Sequence, residues 1–361
     1  MFSRFLAAGA LAILLSSPAL ALDRAPKPPP TSYKAPRAAD GHPDLQGTWT
    51  NATLTRLERD AKFGSRIELT QAEVDALEGR NKQLIELGNR PTNPNATVAD
   101  LPADCSGGRG RDCNYNAAWT DPGTVVMRVA GKPRSGFITT TPNGRIPAMT
   151  KEGQARMQAA MSRRGRGSIN DNPETRSLGE RCILSFGNSA GPVMLPLLYN
   201  NTYEIVQTKD HVAIVVEMVH DVRNVRMNAK HLPASIRPYM GDSIGWWEGD
   251  TLVIETTNFH PAQNFRGASE NLKVTERLTR VAPDRIHYSF WVEDPTTWVE
   301  PWGGEYEFGK SNGALYEYAC HEGNYGLENI LSGARSEERT GVKTAPTNID
   351  QAGGEDGGDE S

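Results

Sequence analysis

From residue 203 onward the chain alternates apolar and polar positions in short runs, the two-residue period of half-buried strands. Such runs fall at residues 203–208, 211–221, 222–227, 244–247, 251–259, 272–281, 285–292, 304–308 and 315–320. Each is rich in β-branched or aromatic side chains. Lys209-Asp210, Glu248-Gly249-Asp250, Pro283-Asp284 and Asn312-Gly313 separate them as turns, and Gly249-Asp250 and Asn312-Gly313 suit tight hairpins. Links this short make the pairing mostly antiparallel. Roughly nine strands in so short a stretch predict a mainly β fold, an antiparallel barrel or sandwich. The preceding residues lack this period. Thr70-Gln71-Ala72-Glu73 is a capping box that predicts a helix to residue 87. Thr150 predicts a second helix to residue 161, broken by Arg163-Arg164-Gly165-Arg166-Gly167, and Pro142-Asn143-Gly144-Arg145 is a turn.

The ends read differently. Residues 1–21 have the form of a cleavable secretory signal: Arg4, an apolar stretch over residues 5–15, and Ala19-Leu20-Ala21 as the cleavage site. That stretch is shorter than the roughly 20 residues of a membrane span, and no second one follows. Residues 22–44 are Pro-rich, with Pro28-Pro29-Pro30, and read as a linker. Residues 339–361 are acidic, rich in glycine and predicted to be disordered. Between these lie an irregular region with two short helices, 45–180, and the barrel, 181–338. The predicted compartment is therefore the periplasm or the exterior. There an even count of cysteines favours disulfides, and the expected pairs are Cys105–Cys113 and Cys182–Cys320. A net charge of −5 argues against a nucleic-acid partner.

Asp44-Leu45-Gln46-Gly47-Thr48-Trp49 contains the G-x-W of the opening strand of lipocalin-like (calycin) barrels, and resembles it. That resemblance implies that the β region is an antiparallel lipocalin-like β-barrel, with Trp49 plugging one end. A wider resemblance rests on Pro43-Asp44-Leu45 with Gly47 and Trp49, on Gly241-Asp242-Ser243 with Trp247-Glu248-Gly249-Asp250-Thr251-Leu252-Val253, and on Tyr318-Ala319-Cys320-His321-Glu322-Gly323-Asn324-Tyr325. These segments are similar to those of a large, mostly uncharacterised group of exported bacterial proteins. The group implies export and a β-rich domain, and it assigns no reaction.

Candidate chemistry comes from carboxylates and histidines in apolar runs. Glu217, Glu255, Glu276, Glu293, Glu305 and Glu317 lie in or beside such runs, and a carboxylate on an inward face needs a partner or water. Strand alternation would place Glu217 with Val215 and Val219, followed by Asp221 and Arg223, and Glu317 with Ala319 and His321. His220-Asp221 and His321-Glu322 pair a base near neutral pKa with a carboxylate. Trp298 and Trp302 fall in an expected loop, where aromatics at a barrel mouth contact ligand, as would Tyr318. Zinc spacing, a nucleophile elbow and a phosphate loop are all missing from the sequence, so neither metal nor cofactor is expected.

The predicted function is binding of a small organic molecule in a barrel cavity lined by aromatics. Arg223, Asp221, Trp298, Trp302, Tyr318 and Glu322 are the expected contacts. An alternative is a cofactor-independent hydrolase or lyase using His321, His220, Glu217 and Glu317 for acid–base steps. A third reading is a scaffold or interaction module of the cell envelope.

Overall fold

The computed structural model describes residues 25–88, 95, 122–166, 170–185, 191, 193–263 and 265–341. Nine strands close a barrel. They are β1 (Gly47–Thr50), β4 (Thr202–Gln207), β5 (His211–Val216), β6 (Val222–Met227), β7 (Asp242–Glu248), β8 (Thr251–Thr257), β9 (Lys273–Ala282), β10 (Arg285–Glu293) and β11 (Trp302–Lys310). Two short strands, β2 (Arg128–Val129) and β3 (Lys132–Pro133), form a separate ribbon. Around the barrel the order is β1-β11-β10-β9-β8-β7-β6-β5-β4, with β4 returning to β1. An odd number of strands cannot alternate direction all the way round a closed ring. The barrel resolves this with one parallel pair, β6 beside β7, which the long link over residues 228–241 makes possible.

Closure comes from the G-x-W segment. The run at 315–320 is not a strand. It continues from β11 as an irregular arm, so Asn312-Gly313 turns the chain without making a hairpin. The ninth strand is β1, which pairs with β4 through Gly47↔Ile205 and Thr50↔Thr202, and with β11 through Trp49↔Lys310. The arm's residues are largely exposed, and a strand there would have no buried face to offer. The run at 211–221 also breaks. Glu217 is helical, and Val219 (φ 60°) and His220 (φ 44°) are left-handed, so β5 ends at Val216 and a short turn leads into β6.

Inward positions alternate as the strand period requires. Ile286, Tyr288, Phe290 and Val292 of β10 face the core with Tyr306 and Phe308 of β11. Trp49 lies at one end, 1% exposed, its Nε1 donating to the Leu45 carbonyl at 2.9 Å. The Arg280 guanidinium stands 5.5 Å over its ring and donates to the Asp44 carbonyl at 2.6 Å. At the other end Phe137, Ile138, Val193 and Met194 enter the same core.

Helix α1 (Gln71–Gly88) begins at the predicted box, where the Thr70 amide donates to Glu73 at 2.8 Å and the Glu73 amide to Thr70 Oγ1 at 3.3 Å. Helix α2 (Lys151–Arg166) starts under Thr150, whose Oγ1 accepts from the Gly153 amide at 3.0 Å. It runs past residue 161 through the basic stretch expected to break it, because one glycine in a helix costs only about 1 kcal/mol. After the arm, helix α3 (Tyr325–Thr340) is capped by Asn324, whose Oδ1 accepts from the Leu327 amide at 3.3 Å. No described helix is long and apolar enough to cross a membrane.

Candidate functional site

The barrel interior is filled with side chains. Arg223 and Glu276, 2% and 0% exposed, form an ion pair in which Nη1 meets Oε1 at 3.1 Å and Nη2 meets Oε2 more closely. Tyr288 donates to Glu276 at 2.6 Å and accepts from the Met194 amide at 3.2 Å. Tyr306 donates to the Met194 carbonyl at a short contact near 2.5 Å. Asn51 donates to both Tyr203 and Tyr306. Burial raises the tyrosine hydroxyls well above their ordinary range, Tyr288 and Tyr306 alike, so they stay protonated. Gly191 lies against this network, where a Cβ would stand 2.9 Å from Arg223 Nη1.

Open space lies outside the barrel, under the C-terminal arm. The arm is tied back at several points. Cys320 is bonded to Cys182, with Cα atoms 5.8 Å apart. Asn324 Nδ2 donates to the Glu180 carbonyl at 2.8 Å, Arg335 donates to the Asp171 carbonyl at 2.6 Å, and the Tyr316 amide donates to Glu217 Oε1 at 3.3 Å. Between arm and barrel these ties leave a cleft of about 1010 Å³. Glu217 and Thr202 line it from the barrel, Arg176 from the preceding segment, and Tyr316, Tyr318 and Leu327 from the arm and α3.

Its charges are unequal. Arg176 donates to Asn170 at 2.7 Å and is in contact with Glu180. Burial raises the Glu180 pKa, but the Ser177 amide and hydroxyl and Arg176 outweigh it, and the net shift is downward. Glu217 is 5% exposed and accepts one backbone amide, with no cationic partner among the described residues. Glu317 is exposed at the rim.

The predicted residues therefore separate. Glu217, Glu317, Tyr318, Cys182 and Cys320 converge on the cleft. His220 is exposed, its Nδ1 3.2 Å from the Tyr318 carbonyl, out of contact with any strand carboxylate. Asp221, next to it, is buried and accepts the Ser185 amide at 3.3 Å. Burial pushes its carboxyl up to about 6, against that amide and the His220 charge. His321 and Glu322 are exposed on the turn after Cys320. No histidine faces a carboxylate across the barrel, because the strand that was to carry His321 inward does not form. Arg223 points into the barrel and is paired with Glu276. Trp298 and Trp302 are 2% and 0% exposed and pack edge to face at 5.6 Å, core residues that do not border the cleft. The Cys105–Cys113 pair lies outside the described residues.

Two histidine–carboxylate clusters lie on the outer face instead. His231 bridges Asp242 (2.8 Å) and Glu255 (3.2 Å), and these contacts raise its pKa against burial. His287, fully buried, meets Glu305 at 3.0 Å, and Arg134 holds the other oxygen at 2.7 Å. Neither was legible, because each partner comes from a different strand or loop. Tyr316 and Arg176 of the cleft were also missed. An exposed tyrosine beside a cysteine that clamps its segment was the available signal.

What the fold and site define is a closed β-barrel with a packed interior and a polar, tyrosine-walled cleft against one end. The chain matches no protein-family model and no curated protein.

Proposed function

We propose that this is an exported β-barrel protein that binds a small organic molecule in the cleft under its C-terminal arm. The observation that carries the reading is the convergence of the Tyr318–Tyr325 segment, the Cys182–Cys320 bridge and the buried Glu217 on one cleft of about 1010 Å³. That volume is of the size small-molecule sites take, and polar groups within an aromatic and aliphatic wall fix a ligand's orientation. The form of residues 1–21 and the disulfide support an oxidising compartment, the periplasm or the exterior. The segment that lines the cleft is also the one that resembles the exported bacterial group. Binding is favoured over acid–base catalysis because no histidine is among the residues that line the cleft.

Native mass spectrometry of the chain purified from its own export compartment tests this. A retained small molecule is expected, with retention falling about tenfold or more in Tyr316→Ala, a change at a side chain 79% exposed that leaves the core intact. A ligand held equally by both proteins, or none found there or in a thermal-shift screen, would reject the reading.

A further inference from the structure

Resting on that reading, we infer that the ligand of the cleft is an organic cation, an ammonium group carried on a small apolar body. The cleft holds three carboxylates, Glu180, Glu217 and Glu317, against one guanidinium, Arg176. Arg176 is committed to Glu180 and Asn170. That leaves Glu217 and Glu317 facing the same space with no cation of the protein beside them among the described residues.

Glu217 carries the inference furthest. It is only 5% exposed, and it lines the cleft. Its Oε1 accepts one amide at 3.3 Å, and no hydrogen bond reaches Oε2 from the described residues. A carboxylate carries about four lone-pair sites, so most of its accepting capacity is unused. A bound cation would take up that capacity from the cleft side. The surrounding surfaces suit an ammonium group. Tyr316 and Tyr318 both line the cleft, tyrosine rings being favourable surfaces for a cation, and Tyr316 keeps 79% of its surface exposed beside it. Leu327 and Ile330 give an apolar wall for the rest of the molecule. A bare metal ion would find too few oxygens. An anion would meet two unpaired carboxylates and a guanidinium already engaged.

The test compares three soluble probes of one shape by calorimetric titration: choline, the neutral neohexyl alcohol in which carbon replaces the ammonium nitrogen, and the tert-butylacetate anion. Choline should bind about tenfold or more tightly than the alcohol, and the anion should not bind. Glu217→Gln should erase the preference for choline. Because a change at a buried residue could also disturb folding, Glu317→Gln and Tyr316→Leu at the exposed rim are measured beside it. Each should reduce the preference severalfold, while Tyr316→Phe retains it. Equal binding of choline and alcohol, a preference for the anion, or no binding of choline would overturn the cation assignment. If a neutral or anionic ligand is then found in the cleft by the native-mass experiment, binding in the cleft stands and only its charge class is wrong.

Discussion

Asp221 sits beside the cleft with its carboxyl raised to about 6 by burial, against an ordinary 3.8. The folded chain therefore holds this proton more tightly than the unfolded chain does. The stability linked to Asp221 is greatest at low pH and is lost as pH rises from about 3.8 to about 6. Asp221→Asn keeps an oxygen to accept the Ser185 amide and removes the buried charge. Above pH 6 the variant should be more stable than the parent by about 1–3 kcal/mol, and the gap should close below pH 4 in urea titrations. Glu276 is the opposite case, a buried charge whose partner is in place. Glu276→Gln would strand the Arg223 guanidinium in the barrel, and a loss of about 3–5 kcal/mol is expected in the same titrations. A loss below about 1 kcal/mol would mean water reaches the pair. Only half of this pairing was legible in the sequence. Arg223 and Glu276 each stand out as charges in apolar runs, but they lie 53 residues apart, and nothing local indicates that the barrel brings them together.

The C-terminal arm and α3 are held by few contacts. Ala334 is the buried residue of α3, and the arm's attachments are the disulfide and scattered hydrogen bonds. The Cys182–Cys320 bridge spans 138 residues, so the loop-closure estimate gives it about 4–5 kcal/mol. Replacing both cysteines with serine should leave the barrel folded and free the arm. Limited proteolysis should then cut within residues 311–341, and ligand affinity should drop with it. An arm that stays protected would show that its hydrogen bonds suffice. Most strands were readable because their alternation faces a real core. Residues 222–227 were assigned to the residue, and the others to within a few positions, apart from the run over 211–221. The run over 315–320 misled because its alternating tyrosines, Tyr316 and Tyr318, suit a strand as well as an irregular exposed arm. The four residues of β1 are too few to show a period.

The whole molecule is a barrel closed by its first strand, with Trp49 buried in its core and the candidate cleft outside it. Trp49→Ala removes the ring that Arg280 covers and should destabilise the barrel by about 3–5 kcal/mol, seen as a lower unfolding midpoint. Trp49 is not among the residues that line the cleft, so ligand affinity at temperatures where the variant stays folded should be unchanged. The expectation of a ligand inside the barrel followed from aromatics in the strands, and sequence alone does not tell a lined cavity from a filled one. Tyr203, Tyr288, Tyr306 and Phe308 pack against one another at ring separations of 4.8–5.6 Å, with the buried Arg223–Glu276 pair bonded to Tyr288. The most direct measurement is a crystal structure of the chain with its retained ligand. Density between Glu217, Tyr316 and Leu327 is expected; density among Tyr203, Arg223 and Tyr306 inside the barrel would contradict the placement of the site.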